Sequence, residues 1–214
     1  MDILDAESPG HSVTASSLMP GLSRGFPWHD PGRPHPELSD PDLWWEHLRG
    51  VLRSALAGAG VTGPLAQRVL ARVRFEYTRL DRWSVLPDAK PALDRLGGAG
   101  WRQAILSNHY PELPDLVRGL GLWEYFEVVL TSAAIGFEKP NPEAFACVLR
   151  DLGHPQTVWM IGDNPEADIA GAARCGIPGV LVRCTAPGFE YAPDLGAAVD
   201  VIEDEDEDEE EGHP

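Results

Sequence analysis

The sequence has few cysteines, no long apolar run and no excess of basic residues. Its three cysteines, Cys147, Cys175 and Cys184, are odd in number and far apart. They therefore favour reduced thiols over a disulfide framework or a zinc site, which needs closely spaced pairs. No run of about 18 apolar residues occurs, so the sequence predicts no membrane-spanning helix. The N-terminus lacks a basic cluster followed by an apolar core, and we expect a cytoplasmic protein.

Basic residues are outnumbered by acidic ones, 17 to 34, which gives a formal net charge of −17. Nine of the acids form one block over residues 203–211, leaving 25 acidic side chains against the 17 basic ones. A nucleic-acid-binding protein would need a basic face, so we expect neither nucleic acid nor a membrane as partner. A block of like charges repels itself, which predicts a disordered acidic tail over residues 203–214. This tail is either an inert solubilising segment or a contact for a basic partner.

The chain divides into four parts by composition and periodicity. Residues 1–38 are rich in Pro, Gly, Ser and His and are predicted to be irregular. Ser39-Asp40-Pro41-Asp42 combines a capping residue, an early Pro and an early acid, which indicates a helix start, and apolar residues at helical spacing follow over 39–86. Over 87–202, helices alternate with short apolar runs. Strands are predicted over residues 102–107, 127–131, 158–162, 179–183 and 199–202.

Alternating strands and helices with short connections imply right-handed parallel crossovers, and therefore an α/β fold with a doubly wound parallel sheet. Ligands bind such sheets beyond the carboxyl ends of the strands. Polar residues follow the strands at three such points. They are Ser107-Asn108, Lys139, and the segment from Gly162 to Asp168.

The first two points suit an anion. The Ser107 hydroxyl and the N–H of Asn108 could donate to a phosphate oxygen, although both are also ordinary turn residues. Lys139 precedes Pro-x-Pro and a helix start, so a stiff loop would present its ammonium to a phosphoryl group and a nucleophilic carboxylate. The alternative is a solvated loop lysine.

The third point suits a cation. Gly162 permits a tight turn after an apolar strand, and Asp163 and Asp168 could then face one point. One or two carboxylates together with waters and phosphate oxygens are the usual ligands of Mg²⁺. The alternative is that the two acids cap the next helix and interact with its dipole.

In this order and context the three points resemble the second, third and fourth motifs of the haloacid dehalogenase-like (HAD) hydrolase superfamily. Lys139 begins Lys-Pro-x-Pro-x-x-Phe, and Gly162 begins Gly-Asp-x-x-x-x-Asp-x-x-Gly-Ala. The resemblance covers about residues 26–202. It implies that Ser107 and Asn108 bind a phosphoryl oxygen, that Lys139 holds the nucleophile and the phosphate, and that Mg²⁺ is bound by Asp163, with Asp168 supporting the metal or Lys139.

Residues 39–86 resemble part of the helical cap that family members insert between the first and second motifs. In relatives the cap closes over the site and selects the substrate. Five aromatic residues could line such a lid, although large aromatic side chains at helical spacing usually belong to a core. They are Trp44, Trp45, Phe75, Tyr77 and Trp83.

The family's first motif has no clear counterpart in the sequence. It is a strand ending in Asp-x-Asp-x-Thr, whose first Asp attacks phosphorus and whose second acts as general acid and base. Asp2 and Asp5 come nearest, but no apolar strand precedes them. In the family that strand lies centrally, between the strands leading to Ser107 and Asp163, so without it two inner strand edges would be unpaired. We expect an N-terminally truncated form with residues 1–24 not authentic; the alternative is a short protein whose early residues replace the strand.

The resemblance implies a Mg²⁺-dependent phosphatase that hydrolyses a small phosphorylated metabolite through an aspartyl-phosphate, active in the full-length form. Two alternatives stay open. One is a non-catalytic phosphate-binding or regulatory protein that lacks the nucleophile. The other is a 2-haloacid dehalogenase type, which uses the same Asp on carbon without metal, and against which the pair Asp163 and Asp168 argues.

Overall fold

A computed structural model describes the backbone of residues 1–211 and the side chains of residues 1–205. Its helices are α1 (Asp2–Glu7), α2 (Ala15–Leu22), α3 (Pro41–Gly58), α4 (Gly63–Thr78), α5 (Ala89–Gly98), α6 (Leu113–Gly119), α7 (Ser132–Ile135), α8 (Pro142–Asp151), α9 (Gly171–Ala173) and α10 (Leu195–Glu211). A π-helical turn (Pro165–Ala170) leads into α9, and 3₁₀ turns lie at Pro27–His29, Pro36–Leu38, Leu80–Arg82 and Trp123–Tyr125. The strands are β1 (Ala104–Ser107), β2 (Val128–Thr131), β3 (Met160–Gly162), β4 (Gly179–Val182) and β5 (Tyr191–Ala192).

All paired strands run parallel, which confirms the predicted α/β class, but the described strands form two sheets rather than one. β1 pairs with β2, and β3, β4 and β5 pair in that order. A cavity of about 700 Å³ lies between β1 and β3, with helices α5 and α10 on one face and α8 on the other. The gap therefore lies where the resemblance predicts a missing central strand.

The predicted strand over residues 199–202 is wrong, because these residues belong to α10. Val199 and Ile202 are buried on the same face of this helix, a spacing that fits the helical period as well as an apolar strand. Asp194 accepts a hydrogen bond from the Ala197 N–H at 2.9 Å and so caps the helix. The last strand of the β3–β4–β5 sheet is instead the two-residue β5.

Residues 1–38 differ from the irregular segment that composition predicts. Leu4 of α1 is buried against α4, and Glu7 pairs with Arg68 and Arg72, each at 2.9 Å. Thr14 and Ser17 form a reciprocal capping box at the start of α2, which Pro and Gly composition conceals. α2 then packs against α3, so both early helices pack on the helical module formed by α3 and α4.

The acidic tail was predicted to be disordered, but its first nine residues, 203–211, belong to α10. Arg95 of α5 pairs with Asp200 at 2.6 Å and also with Glu203, which attaches the start of the acidic block to the core. Glutamate is in addition a good helix former. Residues 212–214 lie outside the described part of the chain.

The helical module α3–α4 packs directly on the α/β core. Asp40 caps α3 by accepting hydrogen bonds from the N–H groups of Asp42 and Leu43. Trp44 and Trp45 are buried in one cluster with residues of α6 and α7, so they are core residues rather than lid residues. Within residues 1–211, no helix combines the length and apolar character that a membrane crossing needs.

Candidate functional site

A buried ion pair joins the carboxyl ends of β1 and β3. The Nζ atom of Lys139 lies 2.7 Å from Oδ1 of Asp168, with both side chains less than one-tenth exposed. The same ammonium donates a hydrogen bond to the carbonyl oxygen of Leu106 at 2.7 Å. A lysine ammonium has three donors, so at least one N–H has no partner among the residues that the structure describes. Lys139 is therefore a held charge at the cavity rim, not a solvated loop lysine.

Asn108 holds the backbone of Lys139 from both sides. Its Oδ1 accepts from the Lys139 N–H at 2.7 Å, and its Nδ2 donates to the Lys139 carbonyl at 2.9 Å. The side-chain amide is thus occupied by the lysine loop. Asn108 therefore positions Lys139. The sequence predicted that Asn108 binds a phosphate, and only its backbone N–H remains available for that role.

Gly162 gives Asp168 the room to approach β3. A Cβ atom at position 162 would lie 2.4 Å from Asp168 Oδ2, closer than any real contact. The same Oδ2 accepts a hydrogen bond from the Asn164 N–H at 3.0 Å. Asn164 in turn caps the π-helical turn through its own side chain, and turns of this kind are frequent at functional sites. Gly162 and Asn164 therefore fix the carboxylate that holds Lys139.

Asp163 is the carboxylate that is free for a ligand. It is exposed, and within residues 1–205 it has neither an ion pair nor a side-chain hydrogen bond. Both oxygens of Asp168 already have partners, Lys139 and the Asn164 N–H. Asp163 is therefore the stronger candidate for a metal ligand, and the main contact of Asp168 is with Lys139. No group of three or more potential metal-binding side chains occurs among the described residues. The donor set fits a cation that keeps most of its ligands as water or substrate oxygens.

The structure brings the five predicted site residues to one place. Ser107, Lys139, Asp163 and Asp168 line the same cavity, and Asn108 reaches it through Lys139. Ser107 ends β1 opposite Thr131, and its hydroxyl has no hydrogen bond among the described side chains. A hydroxyl, an ammonium and a free carboxylate thus share one rim, an arrangement that can bind an oxyanion together with a cation.

Aromatic side chains form a wall beside Asn108. The His109 ring lies 4.1 Å from the Tyr110 ring and 5.6 Å from the Trp83 ring, measured between centroids. Burial lowers the pKa of His109 below its ordinary value, against an opposing effect of a backbone hydrogen bond and Glu112. Burial also raises the pKa of Tyr110 to about 12. The wall is therefore neutral near pH 7. Of the predicted lid aromatics, Trp83, Tyr77 and Phe75 are exposed.

Two buried residues behind Lys139 were missed by sequence reasoning. His35 and Glu138 are 4% and 1% exposed, and their nearest atoms lie 3.3 Å apart, without hydrogen-bond geometry. The N–H of His35 also donates to the Gly136 carbonyl at 2.8 Å. The Pro-rich composition around His35 concealed this contact, and only the position of Glu138 next to Lys139 gave a signal.

Asp2 and Asp5, the nearest sequence candidates for a nucleophile, lie elsewhere. Asp2 pairs with Arg82 at 2.9 Å and Asp5 with His11 at 3.0 Å. Both belong to α1, which packs on α4 rather than on the strand ends. Neither contacts Lys139.

Comparison with known proteins gives one consistent family. A model of the haloacid dehalogenase-like hydrolases matches residues 14–176. A phosphoserine phosphatase of Thermus thermophilus is 33% identical over 198 residues, which cover 89% of this chain and 72% of that protein. The human haloacid dehalogenase-like hydrolase domain-containing protein 3 is 32% identical over 83% of this chain and 71% of its own length. In fold, the L-2-haloacid dehalogenase of Xanthobacter autotrophicus superposes with a TM-score of 0.64 at 23% identity, covering 94% of this chain and 91% of its own.

Proposed function

Because the chain belongs to the haloacid dehalogenase-like hydrolases, we propose that it carries the phosphate- and metal-binding part of a phosphatase site. The substrate class is a small phosphorylated metabolite. The observation that carries this proposal is the Lys139 ammonium, held by Asp168 and Leu106 at the rim that Ser107 and Asp163 share.

The charge arrangement supports phosphoryl transfer. Catalysis of that reaction relies on positioning and on neutralising the charge of the phosphoryl oxygens. Lys139 supplies a fixed positive charge, and the Ser107 hydroxyl and the Asn108 N–H supply donors for a second oxygen. Buried Asp168 keeps the ammonium in place. Asn108 fixes the loop, so that the lysine does not have to be ordered when the substrate binds.

Asp163 would hold Mg²⁺, with Asp168 as a secondary support. When bound, the ion would add positive charge beside the phosphoryl oxygens. We infer that the nucleophile of the aspartyl-phosphate route comes from an Asp on the strand missing between β1 and β3, in a longer form of the protein. This chain alone should therefore show little turnover.

The activity test compares this chain with a longer form that carries an apolar strand ending in Asp-x-Asp upstream. Hydrolysis of p-nitrophenyl phosphate with Mg²⁺ should be strong in the longer form and near background in the chain of 214 residues. A longer form that is also inactive would reject the phosphatase and favour the non-catalytic phosphate-binding alternative. Strong activity of the short form would reject the need for an added nucleophile.

The metal assignment is tested by calorimetry on Asp163→Asn. Loss of the free carboxylate should weaken Mg²⁺ binding about tenfold or more, in line with the cost of disturbing metal sites. Glu166→Gln is the matched control, because Glu166 is also exposed and lies three residues away but pairs with Arg174 at 3.0 Å. Equal Mg²⁺ affinity of Asp163→Asn and the unchanged chain would remove Asp163 as a ligand.

A dehalogenase is the second candidate, favoured by the fold likeness to L-2-haloacid dehalogenases. Asp163, which is exposed and has no ion pair among the described side chains, argues against it, since a carboxylate at that place would repel a haloacid. We place the protein in the cytoplasm, where its three free cysteines would stay reduced.

A further inference from the structure

The segment before α3 is docked on the loop that carries Lys139. The His35 N–H donates to the Gly136 carbonyl at 2.8 Å, at the end of α7. The Asn141 side chain donates through Nδ2 to the Pro31 carbonyl at 3.1 Å, at the start of α8. Lys139 lies between these two points. The segment therefore spans the loop and is tied to both of its ends.

Gly136 makes this docking possible. Its φ of +77° lies in the left-handed region, which glycine adopts without steric penalty. A Cβ atom at this position would lie 3.0 Å from the Cα atom and 3.1 Å from the N atom of Pro36. These are backbone atoms, which cannot turn aside as the end of a flexible side chain can. Pro36 begins a 3₁₀ turn that packs on both α3 and α7, so the chain next to His35 is held on two elements.

Between the two ends of the loop, the side chain of Glu138 is buried against His35. The Nε2 atom of His35 and the Oε1 atom of Glu138 lie 3.3 Å apart. Among residues 1–205, His35 supplies the only basic group beside this carboxylate. The second oxygen of Glu138 and the Nδ1 atom of His35 have no hydrogen-bond partner in the same part of the chain. A buried carboxylate is costly unless it is paired, so Glu138 depends on His35.

We propose that His35 and Glu138 are positioning residues for Lys139, an inference that rests on the proposed function because that function gives Lys139 the phosphate. The contact between the imidazole and the carboxylate fixes Glu138, and the next peptide bond then fixes the direction in which the Lys139 side chain leaves the loop. Asn108 already holds the backbone of Lys139, and the pair adds a second hold from the segment before α3. A displacement of about 1 Å at a reacting group can lower a rate about a hundredfold, so this hold matters although neither residue touches the substrate.

The chemistry of the pair favours orientation over stability. A buried pair of ionisable groups is often no more stabilising than apolar side chains of similar volume, because both groups lose their water. Apolar contacts are non-directional, whereas hydrogen-bonding groups attract each other over a narrow range of distances and angles. Leucine at both positions should therefore keep the loop folded without fixing the direction of Lys139. This difference separates positioning from a purely structural role.

The composition of the chain allows a direct test, because its two lysines are Lys90 and Lys139. Lysine labelled with ¹³C at Cε gives one NMR signal from each, and Lys90, which is exposed, serves as the internal reference. The unchanged chain is compared with the double variant His35→Leu/Glu138→Leu and with His35→Gln, whose amide can donate to Glu138. Titration with inorganic phosphate in the presence of Mg²⁺ measures the affinity, and urea unfolding measures the stability.

In the unchanged chain the two Hε protons of Lys139 should differ in chemical shift, because Asp168 and Leu106 hold its ammonium, whereas those of Lys90 should coincide. The double variant should be as stable as the unchanged chain. Its Lys139 protons should nevertheless coincide, and its phosphate affinity should fall roughly tenfold or more. His35→Gln should keep the separate Lys139 signals and a phosphate affinity within about threefold of the unchanged chain.

A double variant that keeps both the separate Lys139 signals and the phosphate affinity would overturn the proposal. So would an equal loss in His29→Leu, the matched control at an exposed histidine of the same segment. If the double variant does not fold, Glu138→Gln takes its place, since it keeps the volume and removes the charge, and unchanged signals and affinity would again reject positioning. If the unchanged chain binds no phosphate, the proposed function loses its phosphate site, while the Lys139 signals still decide on positioning.

Discussion

A Cβ atom added at Gly162 would lie 2.4 Å from Oδ2 of Asp168 and 2.5 Å from its Cβ, so the missing side chain of one residue makes room for the carboxylate of the other. The first prediction follows from this contact. Gly162→Ala should destabilise the protein by about 1–3 kcal/mol, the usual cost of overpacking, in urea unfolding. Gly50→Ala is the control, since nothing lies within 4 Å of that position inside α3, and it should be neutral or stabilising. Similar effects of both changes would contradict the packing argument.

Asn108 is predicted to stabilise the protein by holding the backbone of Lys139. Asn108→Leu leaves the N–H and C=O of Lys139 without their partners, at about 1–3 kcal/mol for each group that becomes unsatisfied. The specific measurement is amide exchange, which should accelerate at Lys139 and not at Val129 in β2. Unchanged protection at Lys139 would show that the two hydrogen bonds contribute nothing to holding the loop.

The pair Lys139–Asp168 should show strong coupling. Removing one partner of a buried ion pair costs about 3–5 kcal/mol, because the other charge stays buried and uncompensated. Lys139→Met and Asp168→Leu should each be that destabilising, while the double variant should cost much less than their sum. Urea unfolding of the four proteins measures the coupling, and additive effects would show that the pair does not interact. Exposed Arg174 and Glu166 provide a control cycle, with a coupling of about 0–1 kcal/mol.

His109 should make stability depend on pH. Burial lowers its folded-state pKa below the ordinary 6.5, so the unfolded chain binds a proton more readily. Stability from this residue is therefore complete above pH 6.5 and is lost as pH falls towards the folded-state pKa. Unfolding free energies between pH 7 and 5 should fall less in His109→Phe than in the unchanged protein. His154→Asn, at an exposed histidine with φ of 54°, should keep the full decrease.

The α/β core was predictable because the hydrophobic periodicity and the residues that begin and end its elements agree there. The apolar runs ending at Ser107 and Gly162 became β1 and β3, and Pro142 begins α8 as its position indicated. Strand ends, a lysine loop and an Asp-rich turn are enough to place the site residues on one rim, since parallel strands share a carboxyl edge. The grouping of Ser107, Lys139 and Asp163 about one cavity needed only that topology.

Other features could not be read from local sequence. Val199 and Ile202 fit a strand and a helix equally well, and the cap at Asp194 decided between them. The role of Asn108 depends on a contact 31 residues away, for which neither residue carries a local signal. Burial of Trp44 and Trp45 required the position of α6, which no helical pattern in α3 specifies.

The segment before the helical module has a consequence for shortening the protein. Pro31 accepts a hydrogen bond from Asn141 at 3.1 Å, and His35 binds Gly136 and faces Glu138. These contacts buttress the lysine loop from outside. Composition alone would place a boundary at residue 39. Removing the residues before it would remove these contacts and expose Glu138 to water. Any minimal version of the core should therefore keep residues 27–38.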